Sequence, residues 1–136
     1  RANTPARDDP RRRMSTLPLW IAAGVAVFLC AVHGIAGDKD TSTPIAKSRD
    51  LDVTAKHTAL LVWYMMTVAL AQLAAMFAAA AYWDIHALGI AATLISFSFA
   101  ITAVIYPVIA KVSFKILPQG TMFAGLTLLG TLGVIG

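Results

Sequence analysis

Three histidines and one cysteine are the side chains of this sequence best suited to chemistry: His33, His57, His86 and Cys30. Neutral imidazole is a common ligand for metals and for haem iron. His33, in "CAVHGIAGDKD", and His57, in "TAKHTALLVW", border the same long polar segment, whereas His86 follows "YWDI" much further on. Two cofactor readings follow. One is a haem b held between His33 and His57; the other is a pigment on His33 alone, of the kind in which one histidine holds a bacteriochlorophyll magnesium. The plainer reading makes His33 a structural residue hydrogen-bonded inside a helix bundle, and no cofactor is the leading expectation. His57, beside Lys56, and His86 read as ordinary interfacial histidines. A single cysteine excludes an intrachain disulfide and a cysteine-only metal site. Cys30, among apolar neighbours, reads as a small hydrophobe.

Other chemistry has little to stand on. All seven acidic residues are aspartate, and none lies within an apolar block. Proton pumps and ion-coupled transporters place ionisable groups inside the membrane, so this composition argues against them. The sequence offers no nucleophile motif, phosphate-cradling glycine loop or acid–base pair, so no enzymatic activity is expected. The eleven basic residues fall in separate polar segments and make no continuous phosphate track, which argues against nucleic acid as a partner.

The elements that position these residues follow from hydropathy. An apolar fraction of 58% and a mean hydropathy of +0.72 gather into long blocks. A block of about 18 or more apolar residues can cross the bilayer core. The fold expected is therefore all-α: an integral membrane bundle of four transmembrane helices in antiparallel up-down order. The spans are expected near residues 17–37, 57–82, 84–110 and 119–136, after a polar arm over residues 1–16. The first block reads as a span and not as a cleaved signal. The last barely reaches across a bilayer at about 1.5 Å per residue.

Alternating spans put residues 38–56 and 111–118 on one face and the "YWDIH" link on the other. His86 is then about 30 Å from the other two histidines, and all three cannot share a site. Gly37 and Asp38 are expected to end the first helix, and Asp84 to cap the third. Ala22, Ala26, Cys30 and Gly34 recur every four residues, as do Thr67, Ala71, Ala75 and Ala79. Such small-residue stripes allow close helix approach, so the first is expected to meet a neighbouring helix, in the bundle or from a partner subunit. Gln72, the only amide within an apolar block, is expected to find a partner in the bundle. Pro107 should kink the third helix and free the carbonyl of Ala103. Thr93, Ser96, Ser98 and Thr102 should return hydrogen bonds to their own helix.

The arm carries five arginines, and Arg11, Arg12 and Arg13 abut the first helix. They read as a topology anchor, and beyond that as a strip for acidic lipid or an acidic partner. The positive-inside rule then favours both termini in the cytoplasm. Counted from Met14 onward, the same rule reverses that orientation.

The segments "VHGIAGDKD", "VWYMMTV" and "LPQG" resemble a loose family of small, uncharacterised bacterial four-helix membrane proteins. Its members have a "VHxxxG" pattern late in helix one and a "WHxxT" pattern in helix two. Val32, His33 and Gly37 suit the first; Trp63 and Thr67 suit the second, with Tyr64 in place of the family's histidine. The resemblance implies the four-helix fold and no established activity, and Tyr64 breaks any two-histidine site. The function expected is a non-catalytic accessory or assembly subunit of a larger bacterial membrane complex, photosynthetic or respiratory, whose partners are other membrane subunits and lipid. The alternatives are a small haem- or pigment-binding protein using His33, and a transporter or channel for a neutral solute.

Overall fold

The computed structural model describes residues 14–115, 117 and 119–136. The described chain is all-α, with four helices: α1 (Thr16–Lys47), α2 (Val53–Trp83), α3 (His86–Ala110) and α4 (Gln119–Ile135). The first three are long and apolar enough to cross a membrane. The fourth is shorter, with 17 residues.

The first departure from expectation is the length of α1. It does not stop at Gly37 but runs through the expected loop to Lys47, with π-helical turns at Val32–Ala36 and Asp38–Ser42. Gly37 is a packing residue here and not a terminator. A Cβ at that position would lie 2.7 Å from two ring carbons of Trp63, so only glycine lets the indole seat against the helix. Its backbone N–H bonds to Val32 O, five residues back, and that of Thr43 bonds to Asp38 O in the same wide pattern. Pro44 follows directly; it has no N–H for the α-helical bond to Asp40, and the wide turn ahead of it relieves the ring's clash with that carbonyl.

The second departure is the start of α2. Asp52 Oδ1 accepts from the backbone N–H of Thr54 at 2.9 Å and of Ala55 at 3.0 Å. This capping satisfies two of the free donors of the first turn and begins the helix at Val53, before His57. The third departure is Asp84, which does not cap α3. It adopts the left-handed conformation, with φ 54° and ψ 40°, at the end of α2, and Ile85 N–H returns to Ala80 O at 3.2 Å. A short polar side chain tolerates that conformation better than most residues. The N-cap of α3 is Ile85, which makes no side-chain cap.

The expected hydroxyl back-bonds hold. Thr93, Ser96, Ser98 and Thr102 donate to the carbonyls four residues back, at 2.8 or 2.9 Å. Pro107 stands inside α3, and the carbonyl of Ala103 that it leaves without a donor lies where α4 begins. A Cβ on Gly120 would be 3.4 Å from that oxygen.

The core is built from a few large side chains set among alanine and glycine. Leu19, Leu73, Phe77 and Leu126 are fully buried, surrounded by Ala22, Ala26, Ala80 and Ala92. α1 packs mainly on α2, and α3 on α4; contacts of α1 with α4 and of α2 with α3 close the ring. Two glycines of α4 let the ring close. A Cβ on Gly133 would lie 2.5 Å from Leu19 Cγ, and one on Gly130 would meet Thr93 Oγ1 and lie 3.0 Å from Phe77 Cε1. At the same end Ser15 N–H donates to Gly133 O at 2.9 Å, and His86 Nε2 lies 3.1 Å from Val134 O.

Gly130→Ala should therefore lower stability by about 1–3 kcal/mol, because the added methyl would press on the fully buried Phe77 and displace the Thr93 hydroxyl. Gly125 should tolerate alanine, since a Cβ added there would have nothing within 4 Å. Thermal unfolding in mild detergent compares the two variants.

Candidate functional site

The most distinctive side-chain constellation lies between α1 and α2, at the π-helical part of α1. His33 stacks on the indole of Trp63, with ring centroids 3.8 Å apart and planes 20° from parallel. Its Nε2 lies 3.3 Å from the carbonyl oxygen of Trp63. A carbonyl only accepts, so in this bond Nε2 is the donor. Thr67 Oγ1 also donates to Trp63 O, at 3.3 Å, and Cys30 Sγ donates to Thr67 O at 3.5 Å. Gly34 approaches the Thr67 methyl, and Gly37 approaches the Trp63 ring. Residues 30, 33, 34 and 37 of α1 thus meet residues 63 and 67 of α2 as one strip.

This arrangement decides how the other sequence candidates are used. Ala22 and Ala26 are fully buried inside the bundle, and Cys30 and Gly34 pack against Thr67. The first small-residue stripe therefore meets a neighbouring helix of the same bundle, one of the two placements expected for it. His33 and His57 are not brought together. His33 is level with Trp63, whereas His57 is exposed and lies six residues nearer the loop, about 9 Å along the helix axis. His86 is engaged at the opposite end of α2, with Val134 O. Among the described residues no group of three or more His, Cys, Asp or Glu side chains could hold a metal ion. Arg11, Arg12 and Arg13 lie outside the described residues.

A second feature is the open groove on the outer side of the α1–α2 pair. It has a volume of about 710 Å³, and its walls include Trp20, Gly24 and Val27 from α1 with Ala71, Ala75 and Ala78 from α2. Much of the second small-residue stripe faces outward here and not into the core, whose α2 contribution is Leu70, Leu73, Ala74, Phe77, Ala80 and Ala81. Gln72 is exposed and makes no hydrogen bond among the described residues, contrary to its expected partner in the bundle. Its flank of the helix points away from the other three helices. Tyr64 is likewise exposed.

The pairing of His33 with Trp63 escapes sequence reasoning, because no spacing rule connects side chains 30 positions apart on different helices. Gly34 and Gly37, one and four residues after His33, are the sign of a close approach that the sequence does carry. No family model matches the chain, and no curated protein or solved structure is significantly similar to it.

His33→Ala should destabilise the protein by about 1–2 kcal/mol, the sum expected for one hydrogen bond and one ring stack. His33→Gln should recover the hydrogen-bond share but not the stacking share. Unfolding in detergent, followed by Trp63 fluorescence in a Trp20→Phe, Trp83→Phe background, reads both effects.

Proposed function

We propose that this chain is a non-catalytic accessory or assembly subunit of a larger complex in a bacterial inner membrane. In this reading all four helices cross the bilayer in antiparallel order, with both termini on the cytoplasmic side. The meeting of Ser15 with Gly133, and of His86 with Val134, supports that order, since each joins the start of one helix to the end of another. The observation that carries the functional reading is the outer face of α1 and α2. It presents an open apolar groove whose walls are mostly alanine, with Gly24, Val27 and Trp20. Small side chains let a neighbouring helix approach closely, and packing of that kind is what drives association within lipid.

The cofactor alternative has less support. The Nε2 of His33 is already committed to the carbonyl of Trp63, so a metal at Nε2 would have to displace that hydrogen bond. A photosynthetic or respiratory complex is the natural setting for a small subunit of this kind, and the resemblance to uncharacterised four-helix membrane proteins is compatible with it.

The test is purification of the full chain from its native membrane in mild detergent. A stoichiometric assembly containing other membrane subunits, which loses integrity when this chain is deleted, is the expected outcome. A chain that purifies without other proteins, and whose deletion leaves every membrane complex intact, contradicts the proposal. A visible absorption band abolished by His33→Gln would replace it with the cofactor reading.

A further inference from the structure

We propose that α2 forms the interface of a homodimer, in which Gln72 of one copy hydrogen-bonds to the same residue of a second copy near the middle of the membrane. This goes beyond the accessory-subunit reading and stands whether or not a host complex exists.

One set of residues on the outward side of α2, five of them exposed and the last half-buried, is regularly spaced. Leu61, Met65, Val68, Gln72, Ala75 and Ala79 follow one another at intervals of four, three, four, three and four residues. That is the heptad rhythm of a seam that stays against a partner helix along its length. The seam lies on the side of α2 opposite Leu73, Phe77 and Ala80, which face the core. Leu61 and Met65 are each 60% exposed and Val68 57%, and Gln72 and Ala75 are also exposed. From residue 61 to residue 79 the seam is about 27 Å long, close to the thickness of the hydrocarbon core.

Depth matters as well. Trp63 and Trp83 are 20 residues apart, or about 30 Å, and Tyr82 and Trp83 are strongly exposed in the manner of an interfacial belt. Gln72 lies about midway between the two tryptophans. An amide there faces hydrocarbon, which can neither donate to it nor accept from it. Its own helix and the rest of the described chain leave it unpartnered.

Spacing and depth together select the occupant. A lipid tail would cover the apolar positions but leave the amide unmet. An unrelated helix would need a polar group at the same depth and register. A second copy supplies it by construction. Two copies inserted in the same way lie the same way up, so α2 meets α2 in parallel about a two-fold axis along the membrane normal. Each seam position then faces itself. A carboxamide both donates and accepts, so Gln72 is complementary to its own image, and a polar residue at such a position fixes the register of the pair. Ala75 and Ala79 allow close approach on one side of Gln72, while Met65 and Leu61 fill the wider space on the other.

The experiment uses the full chain in its native membrane, in a Cys30→Ala background, with single substitutions Met65→Cys, Val68→Cys, Gln72→Cys and Ala75→Cys. Leu94→Cys on α3 is the control, since Leu94 is 59% exposed but off the seam. Mild oxidation should yield disulfide-linked dimers at the seam positions and monomer at position 94. Monomer at every seam position, dimers formed equally at position 94, or links made only to another protein would overturn the proposal. In vesicles, Gln72→Leu should weaken dimerisation roughly threefold to thirtyfold, the range expected for one interhelical hydrogen bond in lipid. An unchanged or tighter Gln72→Leu dimer would overturn the role given to the amide.

Discussion

The constraint on which this fold depends is close approach between helices whose buried hydrophobic core is half alanine. In lipid, tails are as apolar as leucine, so burying leucine gains little and packing must come from backbone proximity. Gly130 and Gly133 meet that requirement. They admit Phe77 and Leu19, two of the few bulky residues at the centre, to within contact of the α4 backbone. Every other helix touches this arrangement: Leu19 belongs to α1, Phe77 to α2 and Thr93 to α3. A helix of 17 residues is thereby held by three longer ones.

At the other end of the α1–α2 pair the same device recurs with different partners. Gly37 admits the Trp63 indole, and the indole in turn presents a stacking surface to His33. The π-helical turns of α1 occur where this strip is formed and continue into a hydrophilic extension ending at Lys47. With α1 and α2 at 32 and 31 residues, the pair is longer than the 25 residues of α3 and much longer than α4. At about 1.5 Å per residue the excess over a 30 Å core is about three turns on each of the two, carrying the charges of Asp38, Lys39, Asp40, Lys47 and Lys56 with it. Cys30, His33 and His86 are thus occupied in joining helices, whereas the outward face of α2 carries Gln72, which none of the described residues engages.

Much of this is legible in the sequence. The apolar blocks announce the helices, and the Ser and Thr back-bonds follow from their positions inside them. Residues whose type has two structural uses are less readable. Gly37 before Asp38 has the composition of a helix stop, yet it is glycine because of Trp63, a residue on another helix. Asp84 has the composition of an N-cap, yet Ile85 stands between it and α3, and its tolerance of positive φ ends α2 instead. Asp52 is of a type that caps helices, but the charged stretch around it suggests a loop. Of the candidate site, His33 in a bundle is foreseeable from its place beside a small-residue stripe. Its stacking on Trp63 is not, because that is set by the register of two helices. The direction in which Gln72 faces is equally hidden, since it depends on which flank of α2 the other helices cover.

Whether four helices, the short one included, cross the membrane as one bundle is tested most directly by sidedness. Single cysteines at Lys47, Asp84, Ser113 and Gly136 in the Cys30→Ala background would be labelled from one side of sealed vesicles with an impermeant reagent. Positions 47 and 113 should react from one side, and positions 84 and 136 from the other. Labelling of positions 113 and 136 from the same side would mean that α4 does not cross, and would contradict the four-span bundle.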